Sequence, residues 1–268
     1  MDYIDLNKLI LKSKSTLLLN MPKYCIYFLK LFIREKEINR ILTKYSDYEG
    51  IDFLSKIIEE LNINVEIDGI DNLPENGKCF FIANHPFGFI DGLILTYTIG
   101  KKYGDFRAIG NESFLLIPHL KSKIAAVNVF GTNPKNYTIE LQKLFASNLP
   151  ITHFPAGLVS RVKNRKIEDS HWKKSFIKQA VDNQRDIIPF YFYGRNSYLF
   201  YFIYVIRKTL GIKATIELSM LPHEIFNKRN KTIRVKIGKA ISYSTFDKSK
   251  STDAWAQWVK QQVYNLKK

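Results

Sequence analysis

The sequence has little cysteine, with only Cys25 and Cys79 among 268 residues, and their separation matches no metal-ligand spacing. This scarcity argues against a secreted, disulfide-stapled fold and against a zinc-thiolate site. Long apolar runs are also lacking, because no stretch reaches the roughly 18 to 20 residues needed to span a bilayer. Residues 1–5 carry acidic rather than basic groups, unlike the start of a secretory signal. We therefore expect a cytoplasmic protein.

Acidic residues are outnumbered, since 25 Asp and Glu against 41 Lys and Arg give a net charge of +16. Such a charge suggests an anionic partner, namely nucleic acid, an anionic membrane or a phosphorylated carrier. A composition rich in Lys, Asn and Ile can also reflect codon bias, so the charge alone does not decide. The aromatic residues stand in continuous apolar blocks with Ile, Leu and Val, unlike the spaced stacking platforms of single-strand binders. We expect a membrane surface and no nucleic acid.

The pattern of apolar residues predicts an α/β fold, with a central, mostly buried mixed sheet flanked by helices. Residues 1–62 are predicted as an N-terminal helical segment and residues 63–268 as the α/β domain. Within the first segment, residues 25–33 are very apolar and form either a buried helix or one lying in a membrane interface. The predicted strands are residues 65–67, 79–83, 125–130, 151–154, 187–193 and 233–237. The predicted helices are residues 52–61, 91–99, 134–146, 173–183 and 254–266.

The most informative segment follows the predicted strand 79–83, where His85 stands at the strand end, a common place for functional residues. Gly88 permits a tight reversal, and Asp91 is expected to cap the next helix. A turn between His85 and Asp91 lets the carboxylate orient the imidazole, so that the other ring nitrogen acts as a base. The alternative is purely structural, with a strand-end histidine bonded to the backbone and Asp91 as a plain cap.

The segment resembles block I of the glycerolipid acyltransferase superfamily, whose signature is Asn-His followed by Asp. Five residues separate His85 from Asp91 where the superfamily usually has four, which is closer to its bacterial ornithine-lipid and hemolysin-like branch. Three further segments follow in the family's order: residues 110–118 resemble block II, residues 153–161 block III and residues 187–190 block IV. The helical start also resembles the family's N-terminal membrane-docking helices.

The resemblance implies transfer of a fatty acyl group from the thioester of acyl-carrier protein or coenzyme A to the hydroxyl of a lyso-lipid. His85 would be the general base and Asp91 its orienting partner, with no metal and no cofactor besides the donor. The protein would sit peripherally on the inner face of the cell membrane. The residues that the resemblance assigns to substrate binding are Asn84, Asn111, Glu112, Phe154, Pro155, Gly157, Ser160, Arg161 and Pro189.

Two alternatives remain open at this stage. A lipid thioesterase or esterase would use the same His85–Asp91 pair on water, although the sequence has no Gly-x-Ser-x-Gly elbow for a serine nucleophile. A basic module that binds membrane or nucleic acid without catalysis is the second.

Block III departs from the family pattern in two ways. Ala156 stands where the best-known members have Glu, and Arg161 lies four residues after Gly157 rather than two. The first change makes the predicted pocket less polar, and the second moves the residue that usually clamps a small phosphate. Residues 198–204 are expected to offer an apolar wall for the acceptor's chain. We therefore predict a single-chain acceptor with a free hydroxyl and an anionic or zwitterionic head group, rather than glycerol-3-phosphate.

Overall fold

A computed structural model describes residues 3–12, 19–127, 135–163, 166–212 and 215–268. Among these residues the strands are β1 Asn64–Asp68, β2 Cys79–Ala83, β3 Arg107–Asn111, β4 Ile124–Val127, β5 Ile151–His153, β6 Arg161–Lys163, β7 Lys166–Glu168, β8 Asp186–Phe192 and β9 Thr232–Ile237. The α-helices are α1 Leu6–Lys12, α2 Lys23–Phe32, α3 Glu35–Lys44, α4 Gly50–Glu60, α5 Phe89–Tyr103, α6 Lys135–Ala146, α7 Ser175–Asp182, α8 Tyr198–Thr209, α9 Leu221–Phe226 and α10 Thr252–Asn265. Short 3-10 turns span Glu112–Leu116, Pro118–Lys123 and Ile216–Met220.

Seven strands form one sheet in the order β1-β9-β8-β2-β5-β3-β4. Every neighbouring pair is parallel except β8 and β9, which run antiparallel. Strands β6 and β7 form a separate antiparallel ribbon. The predicted mixed α/β sheet is therefore confirmed.

The middle strand β2 explains why the sheet is covered on both faces. All five of its residues are buried, and its continuous apolar run is typical of a strand with helices on either side. Alternate side chains point to opposite faces, so Phe81 joins the core that includes α4 and α5. Phe80 and Ile82 join the core that includes α7 and α10.

The N-terminal helices differ in how they pack. Helices α3 and α4 contribute Ile41, Phe53 and Leu54 to the core of the sheet, so the division at residue 62 separates no second core and stays a prediction. Helix α2 has no buried residue and exposes Tyr24 and Phe28. The buried-helix interpretation of residues 25–33 is therefore wrong for the helical part, and the surface interpretation remains. In the described part of the chain, no helix is long and apolar enough to cross a membrane.

Three element predictions need correction or limitation. Helix α5 begins at Phe89 rather than Asp91, because Gly88 is its N-cap. Strand β4 covers Ile124–Val127, and residues 128–130 of the predicted strand lie outside the described residues, as does Pro134 of the predicted helix. The pattern does not predict β3, whose residues are all half-buried and give no clear apolar alternation.

Candidate active site

Strand β2 delivers His85 to the carboxyl edge of the sheet. Asn84, expected to bind substrate, is instead a buried clamp between β2 and β8: its amide donates to the Phe192 carbonyl (3.0 Å) and its oxygen accepts from the Phe192 N–H (2.7 Å). Since both polar atoms of Asn84 are used within the fold, its role is to fix the strand ends that carry His85.

Asp91 is the third residue of α5 and is fully buried. Its Oδ2 accepts the backbone N–H groups of Phe87 (2.9 Å) and Gly88 (3.3 Å), and its Oδ1 accepts that of Gly92 (3.0 Å). These bonds satisfy donors at the start of the helix, where a carboxylate is also favoured by the helix dipole. The predicted capping role is thus fulfilled from the third helical position, and the carboxylate is rigidly placed.

The His85 ring lies against this carboxylate, with Nδ1 at 3.2 Å from Asp91 Oδ1. This is an electrostatic contact rather than an aligned hydrogen bond, since Nδ1 of His85 has no hydrogen-bond partner among the described residues. Phe154 stacks on the imidazole at a centroid distance of 4.2 Å. Burial lowers the pKa of His85, but the Asp91 carboxylate together with the more distant Asp169 outweighs it and raises the pKa above the usual 6.5. The pair therefore makes a basic imidazole with a fixed orientation.

A second buried carboxylate, Asp169, holds His85 from its other side. Asp169 Oδ1 accepts the backbone N–H of His85 (3.1 Å) and the hydroxyl of Ser160 (2.6 Å), and Oδ2 accepts the indole N–H of Trp172 (2.9 Å). The Ser160 N–H in turn donates to the His85 carbonyl (2.8 Å). Sequence reasoning missed Asp169, and its one signal is Trp172, whose indole N–H needs an acceptor when buried.

The loop after β5 supplies one side of the site. Phe154, Pro155 and Gly157 line the cavity described below, and Gly157 has a positive φ of 69° that favours glycine. Ala156 is buried in the core on the α7 and α10 side of the sheet and is not among the described lining residues, so its expected effect on pocket polarity does not arise there.

Arg161, expected as a head-group clamp, is committed to the fold. Its guanidinium donates to Glu217 (3.1 Å) and to the Val159 carbonyl (2.7 Å), and it lies over the rings of Phe200 and Tyr204. Glu217 is fully buried and also pairs with an arginine of α8. Arg161 therefore fastens α8 and the turn Ile216–Met220 to β6, and it is not among the lining residues described for the cavity.

A cavity of about 410 Å³ opens beside His85. Strands β3 and β5 pair only at Arg107 with Ile151 and at Ala108 with Thr152, and the cavity is lined by residues of both strands beyond those pairs. Its wall is mainly apolar and includes Leu54, Phe80, Phe89, Leu93, Ala108, Ile109, Phe114, Leu120, Ile124, Leu141, Phe145 and Phe176. A lipid chain fits such a wall.

Of the remaining residues predicted to bind substrate, some line the cavity and others do not. Asn111 lines the cavity, whereas Glu112 is exposed outside it. Pro189 is buried within β8, where its carbonyl accepts the N–H of Gly238 (2.8 Å), and it is absent from the described lining. None of the described lining residues belongs to α8, so the wall expected from residues 198–204 is not part of this cavity.

Comparison with known proteins shows the family to which this chain belongs. A family model described as Acyltransferase matches residues 8–268. The chain belongs to this acyltransferase family. The acyltransferase is 38% identical over 264 residues to lyso-glycine lipid O-acyltransferases of Phocaeicola vulgatus and Bacteroides thetaiotaomicron. These matches cover 98% of this chain, with 95% of the first relative and 97% of the second. The family resemblance in the motifs is thereby confirmed.

The acyltransferase also has a solved structural neighbour, the 1-acyl-sn-glycerophosphate (LPA) acyltransferase PlsC of Thermotoga maritima. The two match with a TM-score of 0.51 at 17% identity, over 92% of this chain and 98% of the neighbour. This likeness supports the shared α/β fold.

Proposed function

We propose that this acyltransferase moves a fatty acyl group from an acyl thioester to the hydroxyl of a lyso-lipid, and that lyso-glycine lipid is its acceptor. The observation that carries the proposal is the His85–Asp91 pair at an apolar cavity. The acceptor class rests on the names of the two relatives that match along almost the whole chain.

In the proposed mechanism, neutral His85 takes the proton from the acceptor hydroxyl through its Nε2 as the oxygen attacks the thioester carbonyl. Collapse of the tetrahedral intermediate breaks the carbon–sulfur bond, and the thiolate leaves with the proton from the imidazolium. The products are an ester and a free thiol. Asp91 stabilises the imidazolium, and a positioned general base contributes about 10² to 10⁴ in rate.

The cavity is proposed to hold the acyl chain of the donor. Each methylene moved from water into the wall contributes about 0.8 kcal/mol, and the volume lies within the range of small-molecule sites. Acyl-carrier protein and coenzyme A are both proposed carriers, since each presents the same thioester to His85.

The proposal includes peripheral docking on an anionic membrane through α2 and α8. Both helices expose large apolar side chains, namely Tyr24, Tyr27, Phe28, Leu31, Tyr198, Leu199, Phe202, Val205 and Ile206. The two helices are joined through one small core, because Phe32 packs with Phe200 and Tyr201 of α8 and stacks on His223 at 5.0 Å. Interfacial helices bind by such apolar burial together with attraction of basic residues to anionic lipid.

The test supplies purified protein with lyso-glycine lipid, lyso-ornithine lipid, lysophosphatidic acid or glycerol-3-phosphate, each with acyl-carrier-protein and coenzyme A donors. Products are identified by mass spectrometry. Lyso-glycine lipid should be acylated fastest. Release of free fatty acid with no ester product would contradict the proposal in favour of a hydrolase, and fastest acylation of glycerol-3-phosphate would contradict the acceptor class.

A further inference from the structure

The mainly apolar cavity also has polar side chains in its lining. Lys173 is the only lysine or arginine among the described lining residues, and these include no Asp or Glu. Ser175 and Gln179 of α7 also line the cavity. Because Lys173 is exposed and also lines the cavity, its charge is available to an anionic group of the acceptor while the apolar wall holds the donor's acyl chain.

Arg161, which the sequence suggested as the positive charge for the head group, already has partners within the fold. Arg161 is bonded to Glu217 and to a backbone carbonyl and is covered by two aromatic rings. If the Arg161 guanidinium moved to a ligand, the fully buried Glu217 carboxylate would lose one of its two arginine partners, and an unpaired buried charge is costly. Lys173, by contrast, is exposed at the cavity and has no carboxylate within salt-bridge distance among the described residues.

One polar group near Lys173 in the same wall lacks a partner. Nδ1 of His153 has no hydrogen-bond partner among the described residues, and the His153 ring lies 6.2 Å from that of Phe176 on α7. Burial, and then the nearby charges of Lys173 and His85, lower the pKa of His153 to about 3. A neutral imidazole therefore lies near both Lys173 and the catalytic histidine. Buried polar groups are nearly always bonded, so Nδ1 of His153 points to a polar ligand in the wall.

We propose that Lys173, with His153 beside it, binds the carboxylate of the acceptor's head group, which deepens the proposed function and rests on it. A glycine joined through its amino group presents a free carboxylate a few bonds from the lipid. The phosphate of a donor is the other source of an anionic group, but a long pantetheine arm separates it from the thioester that reacts at His85. The lysine ammonium acts as a point charge and donates a charge-assisted hydrogen bond to the carboxylate.

The experiment measures KM and kcat of wild type, Lys173→Met and Lys173→Arg with lyso-glycine lipid and with its uncharged glycinamide analogue. Lys174→Met is the matched control, because Lys174 is an exposed neighbour outside the described lining and its side chain caps nothing. Lys173→Met should raise KM for the carboxylate acceptor about tenfold, the effect of one charge-assisted contact, and leave KM for the amide unchanged. Lys173→Arg should retain much of the preference, and Lys174→Met all of it.

Each further outcome has one meaning. If Lys173→Met raises KM for the acyl donor and not for the acceptor, the lysine serves the donor phosphate and the proposal is overturned. If the variant keeps the wild-type preference for carboxylate over amide while transfer is intact, the lysine site is wrong but the acyl-transfer function stands. If wild type acylates neither acceptor, the proposed function itself fails.

Discussion

At the residue scale, His85 is held from two sides by buried carboxylates. Asp91 faces its Nδ1 (3.2 Å), and Asp169 accepts its backbone N–H (3.1 Å). Three donors and no acceptor point at the oxygens of Asp169, which favours the ionised form although burial raises its pKa. Asp169 therefore positions the backbone of His85, and its charge acts on the imidazole.

The pH dependence of transfer should report this arrangement. Only neutral His85 accepts a proton, and its pKa lies above 6.5, so the rate should fall as the pH drops through that raised value. The Asp169 charge contributes to the elevation. In Asp169→Asn the acid limb of kcat/KM should therefore move to lower pH, beyond any general loss of rate.

The matched control is Ser160→Ala, which removes one bond to Asp169 and keeps its charge. An acid limb that stays at the wild-type pH in Asp169→Asn would show that Asp169 acts on the fold alone.

The two carboxylates also differ in how far sequence predicts them. Asp91 could be predicted because Asn84, His85 and Gly88 share one short segment with it, so a local turn brings the groups together. Asp169 meets His85 only through tertiary folding across 84 positions. Arg161 shows the opposite case, in which sequence predicts a role that the fold does not give. Its place in block III suggested a head-group clamp, but its partner Glu217 lies 56 residues away and could not be predicted from the local sequence.

At the element scale, α2 and α8 are proposed to insert into the membrane surface. Phe28→Ser combined with Phe202→Ser should weaken binding to anionic vesicles about tenfold or more, since each exposed Phe offers about 1.5 to 3 kcal/mol on full burial. Both side chains are exposed, so the fold should persist. The measurement is co-sedimentation with anionic vesicles at low and high salt.

Ile139→Ser on α6 is the control, because Ile139 is a large apolar side chain that is also exposed (54%) but lies on another helix. High salt should reduce the binding of wild type without abolishing it, as apolar insertion is not screened. Wild-type protein that stays in the supernatant at low salt, or a double variant that binds as well as wild type, would contradict docking by these helices.

Glu60 fastens α3 to the end of α4. Arg40 (2.5 Å), Lys44 (2.6 Å) and Tyr45 (2.8 Å) all donate to its carboxylate. The bonds from Arg40 and then Lys44 lower its pKa from 4.5 to about 2. A folded-state pKa below the unfolded value stabilises the fold above pH 4.5, and this contribution is lost as the pH falls toward 2.

Glu60→Gln should therefore lower the free energy of unfolding at pH 7 by about 1 kcal/mol, the upper end for exposed ion pairs. Urea unfolding measured between pH 7 and pH 3 should show the difference from wild type shrinking as the pH falls. A constant difference across that range would mean that the packing of α3 on α4, and not the charge of Glu60, is what the substitution removes.

At the scale of the whole molecule, the sequence predicts the sheet but not the cavity. Continuous apolar strands such as β2 and β8 indicate a sheet covered on both faces, and the structure has one. The cavity arises because β3 and β5 pair at only two positions. Half-buried β3 residues carry no periodic signal, so neither the strand nor the opening beside it can be predicted from local pattern. Lys173 reaches that cavity only through the tertiary fold, so its placement cannot be predicted from local pattern either.

The central claim is that His85, oriented by Asp91, activates the acceptor hydroxyl. Its most direct test is the rate of ester formation on lyso-glycine lipid from a labelled acyl thioester, compared among wild type, His85→Ala and Asp91→Asn. His85→Ala should lose at least about 10² to 10⁴ in kcat, and Asp91→Asn nearly as much, with far-ultraviolet circular dichroism unchanged. Transfer by both folded variants at near wild-type rates would contradict the assignment of His85 as the base.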